Sequence, residues 1–110
     1  MTIAIIVEDG SNVTNANSFV TIVEARAYAA ERGVTLSATD DDVAIQLIKA
    51  KDYLESFANR YQGEMTNADQ ALQWPRTDVY LYGSETAFSS NAIPKELKAA
   101  QNATVVALSQ

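Results

Sequence analysis

Cysteine and histidine are both missing from this 110-residue chain. The first absence excludes disulfides, a thiol nucleophile and thiolate metal ligands. The second removes the commonest general base and the commonest metal ligand together. Glycine occurs only four times and proline twice, and neither a G-x-S-x-G elbow nor a glycine-rich phosphate loop is present. No apolar run approaches the roughly 20 residues that span a bilayer. The opening MTIAIIVEDG reaches Glu8 after seven residues and lacks the basic start and cleavage site of a signal peptide. Residence in the cytoplasm of synthesis is therefore expected, and the tripeptides Asn12-Val13-Thr14 and Asn102-Ala103-Thr104 carry no glycosylation meaning there. Basic residues are scarce too, eight against fourteen acids, for a net charge of -6. Affinity for nucleic acid comes largely from Lys and Arg displacing counterions from phosphates, so this balance makes a poor grip on DNA. It suits a surface that DNA must slide past.

What is present is enough apolar residue, 47%, for one small domain with one core. Ile3, Ile5 and Val7 alternate along residues 2–8 and predict a short strand or extended arm. Asp9-Gly10 opens a turn, and GSNVTNANS reads as a surface loop. Thr21-Ile22-Val23-Glu24 matches the capping box and starts a helix near 22–32, with Ile22, Ala25, Tyr28 and Ala29 facing inward and Gly33 as its stop. Thr39 can cap the next helix, whose first turn holds Asp40, Asp41 and Asp42. Its stripe of Ala44, Leu47, Ile48, Leu54, Phe57, Ala58 and Tyr61 predicts the core helix, ending at Gly63. A short helix is expected from Thr66 to Gln73, because Trp74 precedes Pro75. Residues 75–91 have loop composition, with Val79 to Tyr82 a short-strand candidate. Ile93-Pro94 starts a last helix with a stripe of Leu97, Ala100, Gln101, Thr104, Val105 and Leu108. The expected architecture is mainly α: a small bundle of three main helices plus a short one, with an extended N-terminal arm and a long loop before the last helix. Its parts are arm and loop 1–20, helical core 21–74, loop or arm 75–92, and last helix 93–110. That helix meets no stop signal and reads as incomplete.

Candidate chemistry is thin. Consecutive helical residues point about 100° apart, so Asp40, Asp41 and Asp42 cannot converge on one cation; helix N-terminal acids account for them. EDGSNVTNANS has the outline of a calcium loop but neither its alternating ligands nor its closing Glu. A carboxylate pair for glycoside cleavage would need a cleft that so short a chain does not build. No catalytic, cofactor or metal site is therefore assigned, and no enzyme activity is expected. Trp74, Tyr80, Tyr82 and Phe88 with Arg76 form a set that can stack on single-stranded bases. The alternative is that Trp74 folds back as a core plug, with Tyr80 and Tyr82 shielding the loop or facing a partner.

The order of IIVEDG, NANSFVTIVEARAYAAERG, AIQLIKAKDYLES, DQALQWPRTDVY and IPKELKAAQ resembles tailed-phage and prophage proteins known as DnaT-like single-stranded DNA-binding proteins, which look like the head–tail connector adaptors of long-tailed phages. Gln70 to Arg76 (QALQWPR) and Ile93 to Ala100 (IPKELKAA) are the most specific pieces. The resemblance implies a helical subunit that assembles with itself into a ring of about a dozen copies in cyclic symmetry. It implies a place in the virion, at the head–tail neck, between the portal protein and a tail-completion or stopper protein. Genome DNA would pass through the lumen without sequence-specific binding, and no cofactor or membrane is involved. Ile3, Ile5 and Val7 of the arm, and Tyr80, Tyr82 and Phe88 of the 75–91 loop, would then be interface residues ordering on assembly. Trp74 would anchor the linker to the core. The rival expectation is single-stranded DNA binding in replication, and a third is a host helical protein with an unidentified partner.

Overall fold

The capping box forms as written: Glu24 N–H donates to Thr21 Oγ1 and Thr21 N–H to Glu24 Oε1, each at 3.0 Å. In the computed structural model, which describes residues 2–81 and 84–110, it opens α1, Ile22–Glu31. Gly33 (φ +72) follows the Arg32 cap. Helix α2 spans Asp40–Glu55 and α3 spans Lys95–Ser109. A 3-10 turn covers Ala58–Arg60, and a small antiparallel pair joins β1, Glu64–Met65, to β2, Arg76–Thr77. The molecule measures 41 × 31 × 21 Å, and its least dimension suits two helix layers about 10 Å apart. Among the described residues no helix is long and apolar enough to cross a membrane.

Two apolar clusters make the core. One gathers Phe19, Leu54, Leu72, Trp74, Ile93 and Leu97. The other gathers Val20, Ala25, Ala29, Val43, Leu47 and Val105. Small residues on α1 let it lie close to α2 and α3, as its alanine-rich face predicts. Two extended segments run between the clusters, joined by a parallel bridge from Val7 to Ser18. Successive side chains of an extended chain point to opposite sides. Ile6 and Phe19 accordingly meet the first cluster, and Ile5 and Val20 the second.

Gln101 closes the junction between the clusters. It is fully buried on α3, one helical turn from both Leu97 and Val105. Its Oε1 accepts from Phe19 N–H at 2.8 Å, and its Nε2 donates to Ser18 Oγ and the Leu47 carbonyl at 2.9 and 3.0 Å. One amide thus ties α3, α2 and the second extended segment. Glu8 does the same for the loop that follows it. Its buried carboxylate accepts from the N–H groups of Gly10, Asn12 and Val13 at 2.9–3.0 Å.

Several expectations need correction. Residues 2–20 are extended, as expected, but they pack on the rest of the chain and do not wait for assembly to become ordered. Ile3 N–H donates to Asp41 Oδ1, Ile6 N–H to Asn17 Oδ1 and Glu8 N–H to the Ser18 carbonyl. Helix α2 stops at Glu55, because its last carbonyls find other donors: Tyr61 Oη bonds the Leu54 carbonyl at 2.8 Å and Phe57 N–H the same oxygen. Phe57, Ala58 and Tyr61 therefore leave the helical stripe. No helix forms over Thr66 to Gln73. There the Gln70 side chain takes Asn67 N–H and donates to the carbonyls of Leu72 and Pro75, supplanting a helical ladder. The short strand lies at Arg76–Thr77, ahead of the expected Val79 to Tyr82, of which only residues 79–81 are described and none is in a strand. Thr39 makes no side-chain cap bond.

Candidate functional site

The tryptophan–proline–arginine stretch links α2 to the last third of the chain. Gly63 begins the turn that returns the backbone toward it. At φ +65 it adopts a left-handed conformation, and a Cβ there would lie 1.7 Å from the Thr77 carbonyl oxygen, so only glycine fits. This close approach holds β1 against β2 and carries Arg76 inward. The Arg76 side chain is 5% exposed. Its Nε donates to the Gln62 carbonyl at 2.8 Å, one terminal nitrogen to the Gln73 carbonyl and Oε1 at 3.1 Å, and the other to the Gly63 carbonyl at 2.9 Å. All three nitrogens are thus used within the chain. Trp74 is buried at 6% exposure in the first cluster, edge-on to Tyr61 at 5.3 Å. The guanidinium lies 5.8 Å from the Tyr61 ring and 6.0 Å from Trp74.

Electrostatics around this hub follow from burial. Glu55 accepts from Gln73 N–H through both oxygens at 3.0 Å. Its carboxyl is nonetheless raised above the ordinary value, because burial disfavours its charge more than that bond, Lys51 and Arg76 favour it. Burial also lifts the Tyr61 phenol, and the nearby Glu55 charge adds to the effect. A buried cation held by neutral carbonyls and a half-buried carboxylate make a structural joint.

Among the described residues, the aromatics weighed for base stacking against a core-plug role are dispersed. Trp74 and Arg76 face inward. Phe88 packs half-buried against the first cluster and donates its N–H to the Val79 carbonyl. Tyr80 is exposed, its backbone held on both sides by the Gln62 side chain. Tyr82 lies outside the described residues. Of the suspected contact residues in the N-terminal segment, Ile5 joins the second cluster, while Ile3 and Val7 are half-buried. The acids Asp40, Asp41 and Asp42 turn to three different partners: Arg26, Ile3 N–H and Ser37 Oγ.

Sequence reasoning missed a surface on α2. Lys49 and Tyr53 share a groove of about 430 Å³ with Ala103, Thr104, Ala107 and Leu108 of α3. Tyr53 is 55% exposed and meets Phe57 edge-on at 5.0 Å, and Arg60 lies 5.8 Å from the Phe57 ring. The four-residue spacing of 49, 53 and 57 was the available signal. It was masked because Phe57 fits the buried stripe equally well.

Residues 3–110 match the family described as "Putative DnaT-like ssDNA binding protein". No curated protein and no solved structure matches the chain.

Proposed function

The chain belongs to this DnaT-like family, and we propose that within it the protein is a structural head–tail connector subunit of a tailed bacteriophage or prophage. In this reading copies form a ring at the virion neck, between the portal and a tail-completion protein, through which genome DNA passes without being gripped. The observation that carries the reading is the inward use of Trp74 and Arg76. The segment best suited by composition to hold nucleic acid spends its guanidinium on the carbonyls of residues 62, 63 and 73 and its indole on the core. The net charge of -6 points the same way, since a wall that repels phosphate lets DNA move. The test is the number of copies per particle, by quantitative mass spectrometry of purified phage. About a dozen copies per capsid is the expected result, as for a closed cyclic ring. Absence from particles, with the protein abundant in infected cells, refutes it.

A second reading, single-stranded DNA binding, is favoured by the family's description and by one observation. Lys49, Tyr53, Phe57 and Arg60 offer bases an aromatic and basic stripe. It predicts oligonucleotide binding that weakens steeply with salt and falls when Tyr53 becomes Ala.

A further inference from the structure

We infer that the outer face of α1 in one copy seats in the α2–α3 groove of the next, making a head-to-tail contact between copies of this chain. The inference rests on the ring reading above and supplies its contact surfaces.

The groove is longer than one depression. A second, of about 290 Å³, adjoins the first through Lys49 and Leu108 and extends to Ile45. From Ile45 to Tyr53 the groove follows two turns of α2, about 12 Å at 1.5 Å per residue. Ile45, Tyr53 and Leu108 are large apolar residues left exposed along it. Burying such side chains against a partner is favourable in proportion to their area.

Helix α1 offers the matching shape. Ala25 and Ala29 face the core, and Val23, Ala27 and Ala30 face solvent. Their spacing of i, i+4 and i+7 forms one stripe about 10 Å long, the pattern by which a helix enters an apolar groove. Val23 is 76% exposed, the most exposed large hydrophobic residue described. Small residues at 27 and 30 let the helix approach the α2–α3 seam closely.

Charge fixes the pairing. Lys49 stands in the groove with no ion-pair partner among the described residues, while Lys51, one of the two nearest basic residues in sequence, pairs with Asp52. Glu31 borders the exposed α1 stripe. The groove's one acid, Asp42, is already bonded to Ser37 Oγ at 2.8 Å. A cation in the groove and a carboxylate beside the stripe attract between copies and set the register. Because stripe and groove are different surfaces, the contact is heterologous, and successive copies close into a ring if the rotation allows.

The absence of cysteine makes a direct test possible. Ala27→Cys and Ala107→Cys proteins, both changed at exposed alanines, are mixed under mild oxidation at high concentration. Glu85→Cys replaces Ala107→Cys in a control mixture. The expected result is 27–107 crosslinking roughly tenfold above the 27–85 control, since a docked pair raises the effective thiol concentration. Adding Lys49→Glu to the groove copy should abolish the excess, and adding Glu31→Lys to the stripe copy should restore it. Equal crosslinking in both mixtures, or no crosslink, overturns the inference. So does protection of Cys at 107 by a single-stranded oligonucleotide instead of by a second copy. The readout is contact between purified copies, so it stands or falls separately from the presence of the protein in phage particles.

Discussion

Replacing Gln101 with Met is the sharpest test of how the two halves of the core are joined. Methionine has a similar length and helix propensity and fills the same space, so the change isolates polar chemistry. Three hydrogen bonds disappear, but their costs differ. Ser18 Oγ keeps its bonds to the Val20 carbonyl and N–H. The Leu47 carbonyl lies inside α2 and keeps its helical donor. Phe19 N–H is different: Gln101 Oε1, at 2.8 Å, is its acceptor, and Phe19 is buried. An orphaned buried donor costs about 1–3 kcal/mol, and the added apolar burial returns only part of that. A net loss of about 2 kcal/mol is expected; with a urea slope of about 1.5 kcal/mol per molar, the midpoint falls by about 1.3 M. The local readout is amide hydrogen exchange. Phe19 N–H should exchange with the global unfolding event in the parent protein and by smaller openings in Gln101→Met. A midpoint shift below about 0.3 M together with unchanged Phe19 protection would refute the argument, since neither could survive loss of the acceptor.

Three further outcomes are expected. Glu8→Gln replaces an acceptor of three backbone N–H groups with an amide that can turn only one oxygen toward them, so about 2 kcal/mol should be lost in urea unfolding, with faster exchange at Gly10, Asn12 and Val13. Gly63→Ala places a methyl group against the Thr77 carbonyl at an unfavourable φ; a loss above about 2 kcal/mol is expected, with separation of β1 from β2 seen as lost amide protection at Thr66, whose N–H donates to the Pro75 carbonyl. The carboxyl of Glu55 is raised from its ordinary 4.5 mainly by burial, so the native state holds that proton more tightly than the unfolded chain. Its contribution is fully present below the unfolded value and is lost as pH rises through the higher native one. Glu55→Gln keeps an acceptor for Gln73 N–H and removes this loss, so its stability relative to the parent should improve between about pH 4 and about pH 7; a constant difference across that range would contradict the assignment.

Local chemistry was legible in the chain, and long-range polar chemistry was not. The start of α1 could be read because Thr21 and Glu24 act within four residues, and its stop because Gly33 acts alone. The stripe of α2 was visible as far as Leu54. Beyond it, periodicity continued through Phe57 and Tyr61, but the Tyr61 hydroxyl captured the Leu54 carbonyl and the helix ended. Gly63 looked like a helix stop and instead shapes the approach to β2. The predicted short helix failed for a related reason, since Gln70 spends its amide on nearby backbone. Gln101 was placed on the inner stripe of α3, yet nothing in its neighbourhood announced partners at Phe19 and Ser18, 82 and 83 residues away. A base-stacking role for Arg76 stayed open beside the core-plug reading of Trp74 because the acceptors of Arg76 are main-chain carbonyls, which every residue has and no pattern marks. The groove on α2 escaped notice because a Lys–Tyr spacing on an amphipathic helix is ordinary until the neighbouring α3 gives it a wall.

The Glu8 carboxylate changes what the segment after it means for association. Nine residues of glycine, serine, asparagine, threonine and small apolar type have the composition of a flexible linker, and as one they would lose about 1–2 kcal/mol of backbone freedom per residue on being fixed by a partner. Here the carboxylate, with the Asn17 amide bonding Ile6 N–H and the Ala4 carbonyl, has already fixed much of that backbone during folding. A surface so prepared would meet any partner as a rigid body, its recognition set by shape and dissociation rate, with little ordering left for the encounter.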